Sequence, residues 1–202
     1  AWSNPLFIDS TGTYELALDF LPAPRRYLQF SLTFSGTATQ VMRVRDLVFT
    51  YSHPQADSAW AEVALADDPY PTGDVSSTPT GQTQTFVYAV AAKFAGRGRG
   101  FDGLRIATPT AATFKSLTFG EERIEVQPDS LVYDTDGFSV FFRSRRISSA
   151  NNESVFVTFE ATPLLYSTLF RGWLLNTTGG VPQLLLAGDA TPQIGTGSLV
   201  VF

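Results

Sequence analysis

Tyr14-Glu15-Leu16-Ala17-Leu18-Asp19-Phe20 sets large apolar side chains at every second position, with Glu15, Ala17 and Asp19 between them. Leu28, Phe30, Leu32 and Phe34 repeat the rhythm against Gln29, Ser31 and Thr33. Successive side chains of a strand leave opposite faces of a sheet, so a period of two marks strands with one buried face. The same pattern recurs to the end of the chain, and no window shows a 3.6-residue stripe. The sequence therefore reads as all-β.

Strands are expected near 13–20, 26–35, 41–51, 59–65, 84–94, 103–108, 113–119, 122–127, 130–134, 138–143, 154–162, 164–175, 183–187 and 198–202. Turn residues separate them, at Ser10-Thr11-Gly12, Pro22-Ala23-Pro24, Ser35-Gly36, Gly120-Glu121 and Thr135-Asp136-Gly137. Asp136-Gly137, between Leu131-Val132-Tyr133 and Phe138-Ser139-Val140, predicts a hairpin. Strands of this length and spacing build antiparallel β-sandwiches or Greek-key barrels. Two interruptions stand out. Residues 67–84 form a long loop rich in Asp, Pro, Thr, Ser and Gly, and Gly96-Arg97-Gly98-Arg99-Gly100 falls near the midpoint. Glycine flexibility there predicts a hinge. The expected organisation is two Ig-like sandwich domains in tandem, 1–95 and 101–202, joined by 96–100, with one large sandwich over 1–202 as the alternative.

Composition narrows the function. The 202 residues include 44% hydrophobic residues and 17 Phe, enough for a real core. The net charge of −5 is spread evenly over both halves, without the basic excess that nucleic acid requires. No apolar run approaches the ~18 residues of a membrane span. Zero cysteines removes disulfides, thiolate metal sites and cysteine nucleophiles together.

The stretch Gly100-Phe101-Asp102-Gly103-Leu104-Arg105-Ile106-Ala107-Thr108-Pro109, continuing to Thr158-Phe159-Glu160-Ala161-Thr162, resembles Ig-like β-sandwich modules of bacterial secreted and cell-surface proteins. The resemblance covers about 84–190 and is one of strands and turns. It implies an extracellular structural or adhesive role and brings no active-site residues. The chain as a whole is expected to act through surfaces and strand edges, on other surface proteins or copies of itself, without a cofactor.

Chemistry-bearing residues are few. His53 is the only imidazole and precedes Pro54; it reads as an exposed loop residue, because no nucleophile elbow accompanies it. Asp134 and Asp136 before Gly137 suggest part of a calcium loop, but Val132 falls where the first ligand should be. A glycosidase needs two acids about 5–10 Å apart across a cleft, and Glu160, Glu15 and Asp19 on polar strand faces are the candidates. Trp60 and Tyr70, close to the 67–84 loop, are the candidates for stacking on a glycan, whereas Trp173 shares strand parity with Leu169 and Leu175 and reads as core. Asn152 and Asn176 head N-glycosylation acceptor patterns that matter only in a eukaryotic secreted protein. Leu6-Phe7-Ile8 and Leu199-Val200-Val201-Phe202 are uncharged and β-prone, so either end is a candidate strand for assembly with a neighbouring subunit.

Overall fold

Alternating Ala59, Ala61 and Val63 turn inward from the strand Ser58–Leu65, and each pairs with an apolar residue on the next strand. The structure, a computed structural model, describes residues 12–15, 29–36, 43–49, 51–96 and 98–202. Its strands are β1 (Ser58–Leu65), β2 (Gln84–Lys93), β3 (Gly103–Ala107), β4 (Thr113–Phe119), β5 (Ile124–Glu125), β6 (Ser130–Asp134) and β7 (Gly137–Phe141). They continue with β8 (Val155–Ala161), β9 (Thr168–Leu169), β10 (Gly172–Leu175), β11 (Gln183–Leu184), β12 (Leu186–Ala187) and β13 (Val200–Val201). One sheet runs β12-β1-β2-β8-β4-β5, a second β11-β10-β3-β7-β6, and β13 pairs with β9. All pairings are antiparallel except the parallel contact of β12 with β1. This is a β-sandwich.

Register explains the core. Across the first sheet, Val63, Tyr88, Val157 and Leu117 lie in one inward row, and Phe86, Phe159 and Phe114 lie in another. The second sheet contributes Leu104, Val140 and Leu174 from one row and Ile106 with Phe138 from the next. Between the sheets Phe159 meets Phe86, Phe138 and Phe170 at ring-centroid distances of 5.8, 5.5 and 5.7 Å, and all four rings are fully buried. Burying each such ring is worth roughly 1.5–3 kcal/mol, so this cluster carries much of the stability of the sandwich.

Tyr88 belongs to the same core, and its hydroxyl is buried against Gly172 without a hydrogen-bond partner. Any side chain at 172 would overlap that hydroxyl and crowd Leu185. A buried hydroxyl that bonds to nothing forfeits its hydration. Tyr88→Phe is therefore expected to leave thermal stability unchanged or raise it by up to about 1 kcal/mol. A clear loss on melting would contradict this and place an ordered water on the hydroxyl.

Several expectations change. The described residues 29–36 and 43–49, both expected in strands, carry no strand and lie exposed, although 29–36 alternates. A period of two states which side chains a strand would bury; it does not supply the ladder partner. The expected strand at 13–20 falls mostly outside the described residues, and 13–15 are not a strand. Across residues 96–100, β2 pairs over 84–90 with β8. The amides of Arg99 and Gly100 donate to the carbonyls of Pro54 and Gln55 at 3.0 and 2.8 Å, so the end of this glycine-rich segment is pinned to the chain before β1. The 67–84 loop is likewise tied down, with Phe202 N donating to Ser76 O at 2.9 Å and Gly81 N to Pro163 O at 2.7 Å.

Candidate functional site

The site begins with a charge in the wrong place. Glu62 is the only charged residue of β1, and it is fully buried on the outer face of the first sheet. Its neighbours in the strand explain why. Gly188 N donates to Ala61 O at 3.2 Å, and Val63 N donates to Ser198 O at 2.8 Å. The segment 188–198 thus departs from the edge of β1 beside residue 61, travels outward and returns beside residue 63. A compact loop whose ends lie close together encloses polar backbone that something must satisfy. Glu62, between the two ends, fills this strap with its carboxylate: Oε1 accepts from Ala190 N and Thr191 N at 3.1 and 2.8 Å, and Oε2 accepts from Gly197 N at 3.1 Å. Burial pushes the Glu62 carboxyl above its ordinary range, aided by the nearby Asp189 and opposed by the three amides.

The strap 188–198 covers an apolar patch. Ile194 is buried against Ala64, Val87, Ala89 and Phe156. Arg123 lies 3.5 Å over the Phe156 ring and donates from Nε to Gln193 Oε1 at 2.5 Å, while Gln193 Nε2 donates to Glu121 O at 2.6 Å. Tyr70 reaches the strap from the 67–84 loop, its hydroxyl donating to Pro192 O at 2.7 Å. Beside that contact a groove of about 430 Å³ is lined by Tyr70, Asp74, Asp189, Ile194 and Thr196 among others.

The two residues expected to stack on a glycan are therefore divided. Tyr70 is 61% exposed and lines the groove. Trp60 sits on β1 opposite Leu186, half-buried, with its ring close under Gly188, so it packs against the base of the strap and does not line the groove. Trp173 corrects the strand-parity reading: Gly172 and Leu174 face the core, and Trp173 faces outward with the Arg105 guanidinium 5.8 Å from its ring.

Other candidates are drawn into the scaffold. Arg105 donates to Asp134 Oδ2 at 2.6 Å and Asp136 Oδ1 at 2.8 Å, so a guanidinium occupies the space between the carboxylates that would have held calcium. Glu160 is paired with Lys115 Nζ at 2.9 Å, and His53 is exposed with its ring against Tyr51. Asn176 Nδ2, where a glycan would attach, donates to Gln55 Oε1 and Gly100 O, both at 2.9 Å. Asn152 Nδ2 donates to Ala92 O at 3.0 Å from an exposed position. Leu199 and Val201 are buried, with Val200 and Val201 laddered to β9 in the same chain, so this strand completes its own sandwich. Phe202 packs its ring against Tyr166. Leu6, Phe7, Ile8 and Asp19 lie outside the described residues, and Glu15 is exposed.

Sequence reasoning missed Glu62 and a buried polar cluster at the opposite end of β1. There Gln183 exchanges two hydrogen bonds of 3.0 Å with the backbone of Ala56, and buried Asp102 accepts from Thr177 N and Oγ1 at 2.8 and 2.6 Å. For Glu62 a signal existed: it is a lone charge inside the apolar run from Ala59 to Leu65. Gln183 offered a similar signal, as the one polar residue between Val181 and Ala187, whereas Asp102 beside glycines at 100 and 103 reads as an ordinary turn residue.

No family model matches the sequence, and no curated protein matches it. Among solved structures the chain is similar to the pilus backbone RrgB of Streptococcus pneumoniae, at 12% identity and a TM-score of 0.34, over 57% of this chain and 30% of that one. It is also similar to the full-length major pilin RrgB of the same organism, at 12% identity and a TM-score of 0.35, over 57% and 23% of the two chains. The chain spans less than a third of the length of either protein, and an overlap this slight gives no residue a role. Among the described residues no helix is long and apolar enough to cross a membrane, which says nothing of strands.

Proposed function

We propose that the chain is a non-catalytic structural or adhesive Ig-like module of a bacterial surface or secreted protein, and that it associates with further copies through strands. In this reading residues 58–202 form one sandwich, and the segments before residue 52 supply the interface. The observation that carries the reading is the exposure of those segments. Phe30, Leu32 and Phe34 have the pattern of a half-buried strand yet lie open to solvent, as do Val44, Val48 and Phe49. The Phe30 and Phe49 rings meet at 5.1 Å, one apolar contact between the two segments. Exposed strand-forming sequence recruits an edge. The sandwich offers one at β6, which pairs only with β7 among the described residues and exposes Val132 and Tyr133. The resemblance of residues 100–109 and 158–162 to surface modules supports the extracellular placement.

Light scattering on size-exclusion fractions tests this. The chain is expected to form oligomers that grow with concentration. Leu32→Lys combined with Val48→Lys, at positions 49% and 81% exposed, is expected to return it to a folded monomer. A wild-type chain that stays monomeric at every concentration would overturn the assignment.

A further inference from the structure

We propose that the groove beside the strap binds a neutral oligosaccharide, stacked on Tyr70 and hydrogen-bonded by Asp74 and Asp189. The inference is independent of strand-mediated assembly. Three features converge on it. The Tyr70 ring is exposed, yet it is held at both ends of its side chain: its hydroxyl donates to Pro192 O at 2.7 Å, and its edge rests on Gly195, where a Cβ would come within 2.9 Å of Cδ1. A ring fixed in place loses little freedom when a ligand lies on it, and its apolar face suits the C–H side of a pyranose.

Next to the ring, Asp74 and Asp189 are exposed and line the groove, and neither carboxylate makes a hydrogen bond or ion pair among the described residues. An ionised carboxylate accepts two hydroxyls at once, the match for a vicinal diol. Two negative charges at the rim select a neutral sugar over a uronate or a sulfated one. The groove, about 430 Å³ and open, has room for one or two sugar rings of a longer chain.

The test is calorimetric titration of the full chain with neutral hexasaccharides of glucose, xylose, mannose and galactose. Saturable binding of at least one is expected, weakened about tenfold by Tyr70→Ala and by a similar factor in Asp189→Asn or Asp74→Asn. Tyr70→Phe, which keeps the ring but loses its tie to Pro192, should fall between the wild-type chain and Tyr70→Ala. Because Tyr70 also touches the strap, Asp74→Asn serves as the variant that leaves the strap contacts intact. Absence of binding to the whole series at millimolar sugar would overturn the proposal, as would binding that neither Tyr70→Ala nor Asp74→Asn weakens.

Discussion

Glu62→Ala is expected to lower the unfolding free energy by about 3 kcal/mol or more. The change strands the amides of Ala190, Thr191 and Gly197 inside the strap, and each buried donor left without an acceptor costs about 1–3 kcal/mol. Release from burying a charge offsets part of that sum. The strap would then lift from Ala64, Val87, Ala89 and Phe156, so the variant should also bind a hydrophobic dye that the wild-type chain ignores. Glu62→Gln should cost less: its carbonyl oxygen still serves Ala190 and Thr191, but its NH2 group faces the Gly197 amide, donor against donor.

The pH dependence follows from the direction of the shift. Burial raises the Glu62 pKa above that of the unfolded chain, so the folded state holds the proton more tightly. Its contribution to stability is therefore greatest at acidic pH and declines as pH rises through the interval between the unfolded and folded values. Glu62→Gln should remove this slope. Chemical denaturation across pH 4 to about 8 reads both effects, and a slope that survives in the variant would assign it to another group.

Gly137→Ala is the second large effect. Gly137 opens β7 opposite Asp134 with φ of +142°, which side-chain-bearing residues avoid. A Cβ there would overlap the carbonyl oxygen of Ile106 on β3. That oxygen cannot withdraw, because β3 is laddered to β7 on one side and β10 on the other. Conformational strain of about 1–3 kcal/mol thus adds to displacement of a central strand. The melting temperature should fall by on the order of 10 °C. A fall of only a degree or two would mean that the hairpin can shift in register.

The same glycine shows how far the sequence could be read. The hairpin was legible from Asp136-Gly137, but the positive φ sits on Gly137 alone, with Thr135 and Asp136 as the connecting residues. From residue 58 onward, alternation and turn chemistry located nearly every strand, because each has a partner that rewards its buried face. The same alternation at 29–36 produced no strand, since a pattern does not name its partner; 43–49, where Asp46 interrupts the phase, produced none either. Pairing of β2 with β8 across the glycine-rich 96–100 was invisible for the same reason: composition suggests freedom, whereas hydrogen bonds to Pro54 and Gln55 remove it. Trp173 was lost to a phase error of one residue, enough to turn a side chain to the opposite face. Of the candidate site, Tyr70 was legible as an aromatic beside an irregular loop; the strap that holds it was not, because its order depends on a carboxylate 128 positions away from the Ala190 amide it binds.

Concentration-dependent hydrogen exchange on the full chain tests the central claim, that one sandwich is built around β1, β2 and β8 and that its exposed segments mediate association. The account predicts slow exchange in these three strands at every concentration, with a common opening free energy. It predicts fast exchange at 29–36 and 43–49 in dilute solution and protection there as the chain associates. Opening of β1 and β2 independently of β8, or exchange at 29–36 and 43–49 that stays fast in concentrated solution, would contradict it.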